Sequence, residues 1–398
     1  MTKLLITNTR PMGHAQADIL IVDGKIAAIG QNLAAEGATV EDAGGRIAIP
    51  GLVDAHTHLD KSLLGYPWYV NEVGPRLIDR IDNERKVKRD LGLNAHVQSM
   101  RQSLQSAGYG TTLIRTHVDI DTEQGLIALE GVMETRRQLA GVVEIEIVAF
   151  PQSGLMRRPG TAELLDKGMA MGADLVGGLD PCGMDRDPKG HLDTIFAIAE
   201  RHGKGIDIHL HESAELGAFS MEMIFERVRA LGMQGKVAVS HAFCLGAPDW
   251  NVTQGLIDTC AELDIPILTT APPSCETPSL KRLAEAGIRF GAGIDGFRDT
   301  WGPYGNGDML ERAMLLGMKN NLRRDDEMAM ALHVCSTGGA IVMERAGHEL
   351  VAGGRGDVVL VEGETLAEAI VTHAPRKLVV AAGNIVARDG RSLRTQPE

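Results

Sequence analysis

The chain has 398 residues, with 40 Lys and Arg against 53 Asp and Glu and a formal net charge of −13. That acidic balance excludes a general nucleic-acid binder, whose phosphate affinity rests on clustered cations, and 44% hydrophobic with 23% charged residues excludes a disordered chain. At about 150 residues per domain, the length predicts two or three domains or one large barrel with attachments.

Taken in chain order, the N-terminal segment reads as short strands. Leu4–Thr7 and Ala17–Val22 are β-rich, Asp23-Gly24 is a hairpin turn signal, and Lys25–Ile29 is the return strand. Eight apolar runs of strand length follow: Leu52–Ala55, Thr111–Val118, Glu144–Phe150, Ala173–Gly177, Gly205–His209, Lys236–Ser240, Ile265–Thr269 and Arg289–Ile294. Helical stretches separate them, among them Asn94–Ala107, Gly125–Ala140, Thr161–Met171, Leu192–His202, Ala214–Leu231 and Val252–Leu263. The far end returns to β texture in Asp357–Val361, Lys377–Ala381 and Ile385–Arg388, with Gly383-Asn384 as a turn.

Eight strands alternating with helices over about 250 residues predict an α/β fold, a (β/α)8 TIM barrel. The expected domains are residues 1–48 and 350–398, forming one small discontinuous β-sandwich, and residues 49–349, forming the barrel. A doubly wound open sheet is the alternative, but no G-x-G-x-x-G opens a first helix.

Cys182, Cys244, Cys260, Cys275 and Cys335 are odd in number and contain no C-x-x-C pair, as expected of free thiols in a reducing cytoplasm. No stretch approaches the roughly 20 apolar residues of a spanning helix, and the first residues break their apolar run too early for a secretory signal. A cytoplasmic homo-oligomer that acts on a small molecule, without membrane or nucleic-acid partners, is expected.

Catalytic groups of a TIM barrel project from the C-terminal ends of its strands. The first run ends in His56-Thr57-His58, the fifth in His209-Leu210-His211-Glu212, the sixth in Ser240-His241 and the eighth in Asp295. Period-2 geometry puts His56 and His58 on the same side of their strand. Three neutral imidazoles with one carboxylate suit a borderline divalent ion such as zinc or iron(II), with a position left for water.

The run Pro50-Gly51-Leu52-Val53-Asp54-Ala55-His56-Thr57-His58-Leu59-Asp60-Lys61-Ser62 resembles the amidohydrolase superfamily. Arg115–Asp119, Phe150–Gly154, His209–Glu212, Ser240–Ala242, Asp295–Trp301 and Tyr304–Met309 resemble its cytosine deaminase branch, which includes N-isopropylammelide hydrolases acting on s-triazines. The resemblance implies metal ligands at His56, His58, His209 and Asp295. Asp174-Leu175-Val176-Gly177-Gly178 carries no lysine to bridge two metals, so one divalent ion per chain, zinc or iron(II), is implied. It further implies that Glu212 shuttles a proton from water to a ring nitrogen, that Asp295 passes a proton to the departing amine, and that His241 orients the attacking oxygen.

Gln152 is implied to contact the substrate ring, since its amide offers one donor and one acceptor edge. Trp301 is a candidate wall for a planar heterocycle. The structural alternatives are an N-cap partner for Glu212, a buried core histidine for His241 and simple packing for Trp301. Asp60, His117, Asp119, His211 and Asp299 are candidates for orienting the ligands, Asp308 is expected to cap a helix, and Asn71–Gly92 is a candidate lid.

One departure bears on the substrate. Cytosine deaminases carry a second aspartate directly after the metal aspartate, where this chain has Gly296. Either the missing carboxylate opens space for a substituent such as a 5-methyl group, or the glycine serves a tight turn. The expected reaction is hydrolytic deamination of cytosine or a 5-substituted cytosine. The alternative is release of an alkylamine from an s-triazine; it is supported by Val176–Pro181, Asp60-Lys61-Ser62 and Gly305–Asp308, although the triazine branch places aspartate where this chain has Glu212. A non-catalytic scaffold on the same fold is the third reading.

Overall fold

A computed structural model describes residues 2–397. The N-terminal strands are β1 (Lys3–Pro11), β2 (Ala17–Val22), β3 (Lys25–Gly30), β4 (Thr39–Asp42) and β5 (Ile47–Pro50). Asp23 and Gly24 turn β2 into β3 with φ of +46° and +77°, the positive pair that a tight right-twisted hairpin requires.

The barrel strands are β6 (Leu52–Thr57), β7 (Thr111–Asp119), β8 (Glu144–Phe150), β9 (Leu175–Leu179), β10 (Gly205–His209), β11 (Val237–Ser240), β12 (Ile267–Thr269) and β13 (Phe290–Ala292). Among the helices around them are α1 (Leu77–Asp90), α2 (Ala95–Gly108), α3 (Ile127–Gln138), α4 (Thr161–Met171), α5 (Pro188–His202), α6 (Ala214–Leu231) and α7 (Trp250–Glu262). Each adjacent pair from β6 to β13 is parallel. Two backbone hydrogen bonds close the ring, His58 N–H to Asp295 O at 3.0 Å and Asp295 N–H to His56 O at 2.8 Å. Every residue of β6 and β7 is buried, as continuous apolar strands covered on both faces must be.

The fourth strand begins at Leu175, two residues after the predicted start, because Asp174 is occupied as an anchor: its carboxylate accepts from Ile147 N–H at 2.8 Å. Gly177 and Gly178 have a packing reason. A Cβ on Gly177 would lie 2.7 Å from Ala149 O, and one on Gly178 would lie 2.9 Å from the Ile195 side chain, so only glycine lets these elements approach.

After the barrel come β14 (Val358–Val361), β15 (Arg376–Ala381), β16 (Asn384–Arg388) and β17 (Arg391–Ser392). β14 pairs antiparallel with β5, so both chain ends enter one sheet path, β17-β16-β15-β14-β5-β1-β2-β3, with β4 beside β1. β1 bridges the two halves: Leu4 and Ile6 pair with β2, while Arg10 and Pro11 pair with β5. Leu4, Ile6, Ile19, Ile21 and Ile26 from one half share a core with Ala48, Val358, Leu360, Leu378 and Val380 from the other. Among the described residues, no helix is long and apolar enough to cross a membrane.

Candidate active site

Four histidines and an aspartate meet at the strand ends. His56 is fully buried, and His58, His209 and His241 are each at most 5% exposed. Ligand atoms of His56, His58 and His209 lie within 4.8 Å of one another, as do those of His56, His241 and Asp295. His209 is wedged by Phe150, whose ring stacks on it at 4.1 Å between centroids.

Hydrogen bonding settles which imidazole nitrogens face inward. Ser240 Oγ donates to Asp207 Oδ1 at 2.6 Å, so its single hydrogen is used and it accepts from His56 Nδ1 at 2.9 Å. His58 Nδ1 donates to His117 O at 3.1 Å. Both Nε2 atoms therefore present lone pairs. His58 Nε2 faces His209 Nε2 at 3.4 Å, and Asp295 Oδ1 lies 3.7 Å from His56 Nε2 and 3.4 Å from His58 Nε2.

The electrostatics agree with neutral rings. Burial, helped by the charge of Lys61, pushes the His58 pKa down to about 3. Burial also drives His209 and His241 well below the ordinary imidazole range. Around His56, His58 and Asp295 electron-rich atoms thus converge, an arrangement that a divalent cation satisfies. The backbone is strained at this point: His241 has φ +69° and Asp295 φ +72°, left-handed values costly for non-glycine residues and typical of functional sites.

The remaining candidates fall around this cluster. The Glu212 carboxylate accepts from Cys182 N–H at 2.9 Å, from Gly183 N–H at 2.6 Å and from the Ser220 hydroxyl. It is therefore no N-cap partner for α6, and its bonds instead tie the β10 loop to the loop after β9. His211 Nδ1 bonds Asp180 Oδ2 at 2.8 Å, and its ring lies 4.2 Å from that of His241. The Trp301 indole N–H donates to Glu84 on α1, and its ring packs beside Ile81, Phe150, Leu179 and Met184. Asp308 caps the helix Met309–Lys319 as expected, accepting from Leu310 N–H at 2.9 Å.

Gly296 has a packing reason. Its φ is not positive, so no left-handed turn requires it, and the space beside it is filled. A Cβ there would fall 2.0 Å from Asp299 Oδ2. A carboxylate returns from three residues downstream, held by Trp301 N–H at 2.7 Å and Gly302 N–H at 2.9 Å. The place that a side chain at position 296 would take is thus occupied by Asp299.

A second polar cluster adjoins the first, and its importance is not apparent from sequence. Lys61 Nζ bonds Gln152 Oε1 at 2.9 Å and Asp119 Oδ1 at 3.2 Å, and pairs with Glu84 Oε2 at 3.3 Å. Lys88 Nζ bonds Asp119 Oδ2 at 2.9 Å and lies 3.6 Å from Asp60. Glu84 and Lys88 come from α1, so the segment considered a lid carries a helix with a buried charged face. The position of Lys61, three residues beyond His58, was the available signal. The helix spacing of Glu84 and Lys88 was another, since residues four apart share a face.

A profile described as "Amidohydrolase family" matches residues 97–387. The N-isopropylammelide isopropyl amidohydrolase of Pseudomonas sp. (strain ADP) is 29% identical over 385 residues, 94% of each chain. The crystal structure of N-isopropylammelide isopropylaminohydrolase from Burkholderia multivorans ATCC 17616 is 49% identical, covers 99% of this chain and 100% of that one, and superposes with a TM-score of 0.96. The 5-methylcytosine deaminase of Klebsiella pneumoniae, liganded with 5-fluorocytosine, is 24% identical with a TM-score of 0.85 over 99% of both chains, which shows a shared fold. The chain belongs to the amidohydrolase family. It is a hydrolytic enzyme built on a (β/α)8 barrel with a β domain drawn from both termini.

Proposed function

We propose that this enzyme hydrolyses the bond between a small nitrogen heterocycle and an exocyclic amine, with an N-alkylamino s-triazine as the leading substrate. The carrying observation is the convergence of imidazole lone pairs and the Asp295 carboxylate beside the amide of Gln152. His56, His58, His209 and Asp295 would hold one divalent cation, zinc or iron(II). Such a cation supplies Lewis acidity and makes a water nucleophile available at neutral pH.

The residues around it handle protons and position. The Asp295 carboxylate, whose side chain is 40% exposed to the cavity, accepts a proton from the attacking water and delivers it to the departing amine. His241 Nε2 has no protein partner and hydrogen-bonds the attacking oxygen. Two groups can serve the ring nitrogen. Glu212 can do so by releasing one of its three donors, and His211 can do so while Asp180 keeps its ring oriented.

The triazine reading draws support from the full-length likeness to the Burkholderia protein. Deamination of cytosine or 5-methylcytosine, the first expectation from sequence, is the second reading; Asp299 takes the place of a side chain at position 296. Assay of zinc- and iron-loaded protein separates the two. Alkylamine released from an N-alkylamino dioxo-triazine is expected, with ammonia from cytosine or 5-methylcytosine at least tenfold slower in kcat/KM. The reverse order overturns the substrate, and no amine from any ring, together with no retained ion, restores the scaffold reading.

A further inference from the structure

Gln152 is oriented by chemistry that permits no ambiguity. Its Oε1 lies 2.9 Å from Lys61 Nζ, and an ammonium group can only donate, so the amide oxygen must face it. An amide rotated by half a turn would set NH2 against NH3+. The lysine is held in place, being 4% exposed and flanked by Asp119 and Glu84 at 3.2 Å and 3.3 Å. Burial opposes the lysine's charge, but the acidic groups around it, Asp119 foremost, outweigh it and keep the group protonated. The acceptor edge of Gln152 is consumed. Its NH2 edge meets no acceptor among the described residues. The residue stands two positions beyond Phe150, whose ring stacks on His209, and Lys61, three residues beyond His58, ties its amide to the neighbourhood of the histidine cluster.

We infer that Lys61 sets substrate specificity by holding Gln152 as a hydrogen-bond donor, so the site accepts rings that place an oxo group at that edge and rejects rings that place an amino group there. Lys61 acts through Gln152 as a positioning residue. This rests on the proposed function and narrows its substrate class to oxo-substituted heterocycles. A buried donor facing an amino group leaves two donors unpaired, and sites of that kind discriminate strongly.

The test is equilibrium binding of two rings of equal size, a trioxo-triazine and a triamino-triazine, to the metal-loaded enzyme by titration calorimetry, alongside amine release from the alkylamino dioxo-triazine. The wild type is expected to bind the trioxo ring at least tenfold more tightly. Gln152→Glu keeps the contact with Lys61 while turning the pocket-facing donor into an acceptor, and is expected to invert the preference. Lys61→Met frees the amide to rotate and is expected to bring the ratio within about threefold. A wild-type ratio within threefold, or an unchanged tenfold preference in Gln152→Glu with metal content intact, overturns the inference. Amine release without the binding preference strikes the inference alone. The preference without amine release from any ring strikes the proposed reaction alone.

Discussion

Two buried polar clusters lie side by side at the C-terminal end of this barrel, and they balance charge in opposite ways. Around Asp119, the ammonium groups of Lys61 and Lys88 sit among the carboxyl groups of Asp60, Asp119 and Glu84. Around Asp295, the lone pairs of His56 and His58 and a carboxylate oxygen face one another with no cation of the chain between them. Burying polar groups is tolerated when each finds a partner. The first cluster is complete in its cations and so holds α1, Gln152 and Trp301 in place. The second supplies no cation of its own among the described residues, which makes it the candidate metal site.

Substitutions in the two clusters should therefore fail differently. His209→Ala removes a ligand from the incomplete cluster. Retained zinc or iron is expected to drop below one tenth of an ion per chain, and kcat/KM by at least about a thousandfold, with little change in unfolding midpoint measured on metal-free protein. A full metal complement would remove His209 from the ligand set.

Lys88→Met breaks the complete cluster and leaves a buried carboxylate short of its cation. About 3–5 kcal/mol of stability should be lost in urea unfolding, while the metal content of the folded fraction stays at the wild-type value. Gly296→Ala, at the border between the clusters, forces Asp299 to move, since a Cβ would fall 2.0 Å from its Oδ2. A loss of about 1–3 kcal/mol is expected, and an unchanged midpoint would show that the loop yields freely.

The smallest effect is a slope with pH. Burial, reinforced by the charge of Asp119 and opposed by Lys61, raises the Glu84 pKa from 4.5 to about 8. Between those values the native state keeps a proton that the unfolded chain has lost, so this group's contribution to stability falls as pH rises. Unfolding free energies of metal-free protein measured between pH 5 and 8 should decline, and Glu84→Gln should flatten part of that decline. An identical slope in the variant would assign it to other groups.

Much of this architecture can be read from local patterns. The eight apolar runs, the hairpin at Asp23-Gly24 and the helices after the strands recur in the structure because they depend on periodicity and turn chemistry, which are local. The histidines at the ends of the first, fifth and sixth strands and Asp295 at the eighth were legible because a barrel sends all its strand ends to one face. Lys61, Glu84 and Lys88 were not legible as a unit. Their partners come from segments up to 217 residues away in sequence, and a charged helix face reads locally as a solvent-facing one.

The sequence by itself determined the strand–helix alternation, the return of the C-terminal segment to β texture and the residue types that end the strands. Tertiary structure alone decided which nitrogen of His56 faces inward, through Ser240 and Asp207. It also decided that Asp299 fills the place beside Gly296 and that Lys61 takes the acceptor edge of Gln152. Each of these is a matter of where a single hydrogen or a single oxygen goes. Such placement follows from the three-dimensional meeting of distant side chains, while periodicity carries only the faces of helices and strands.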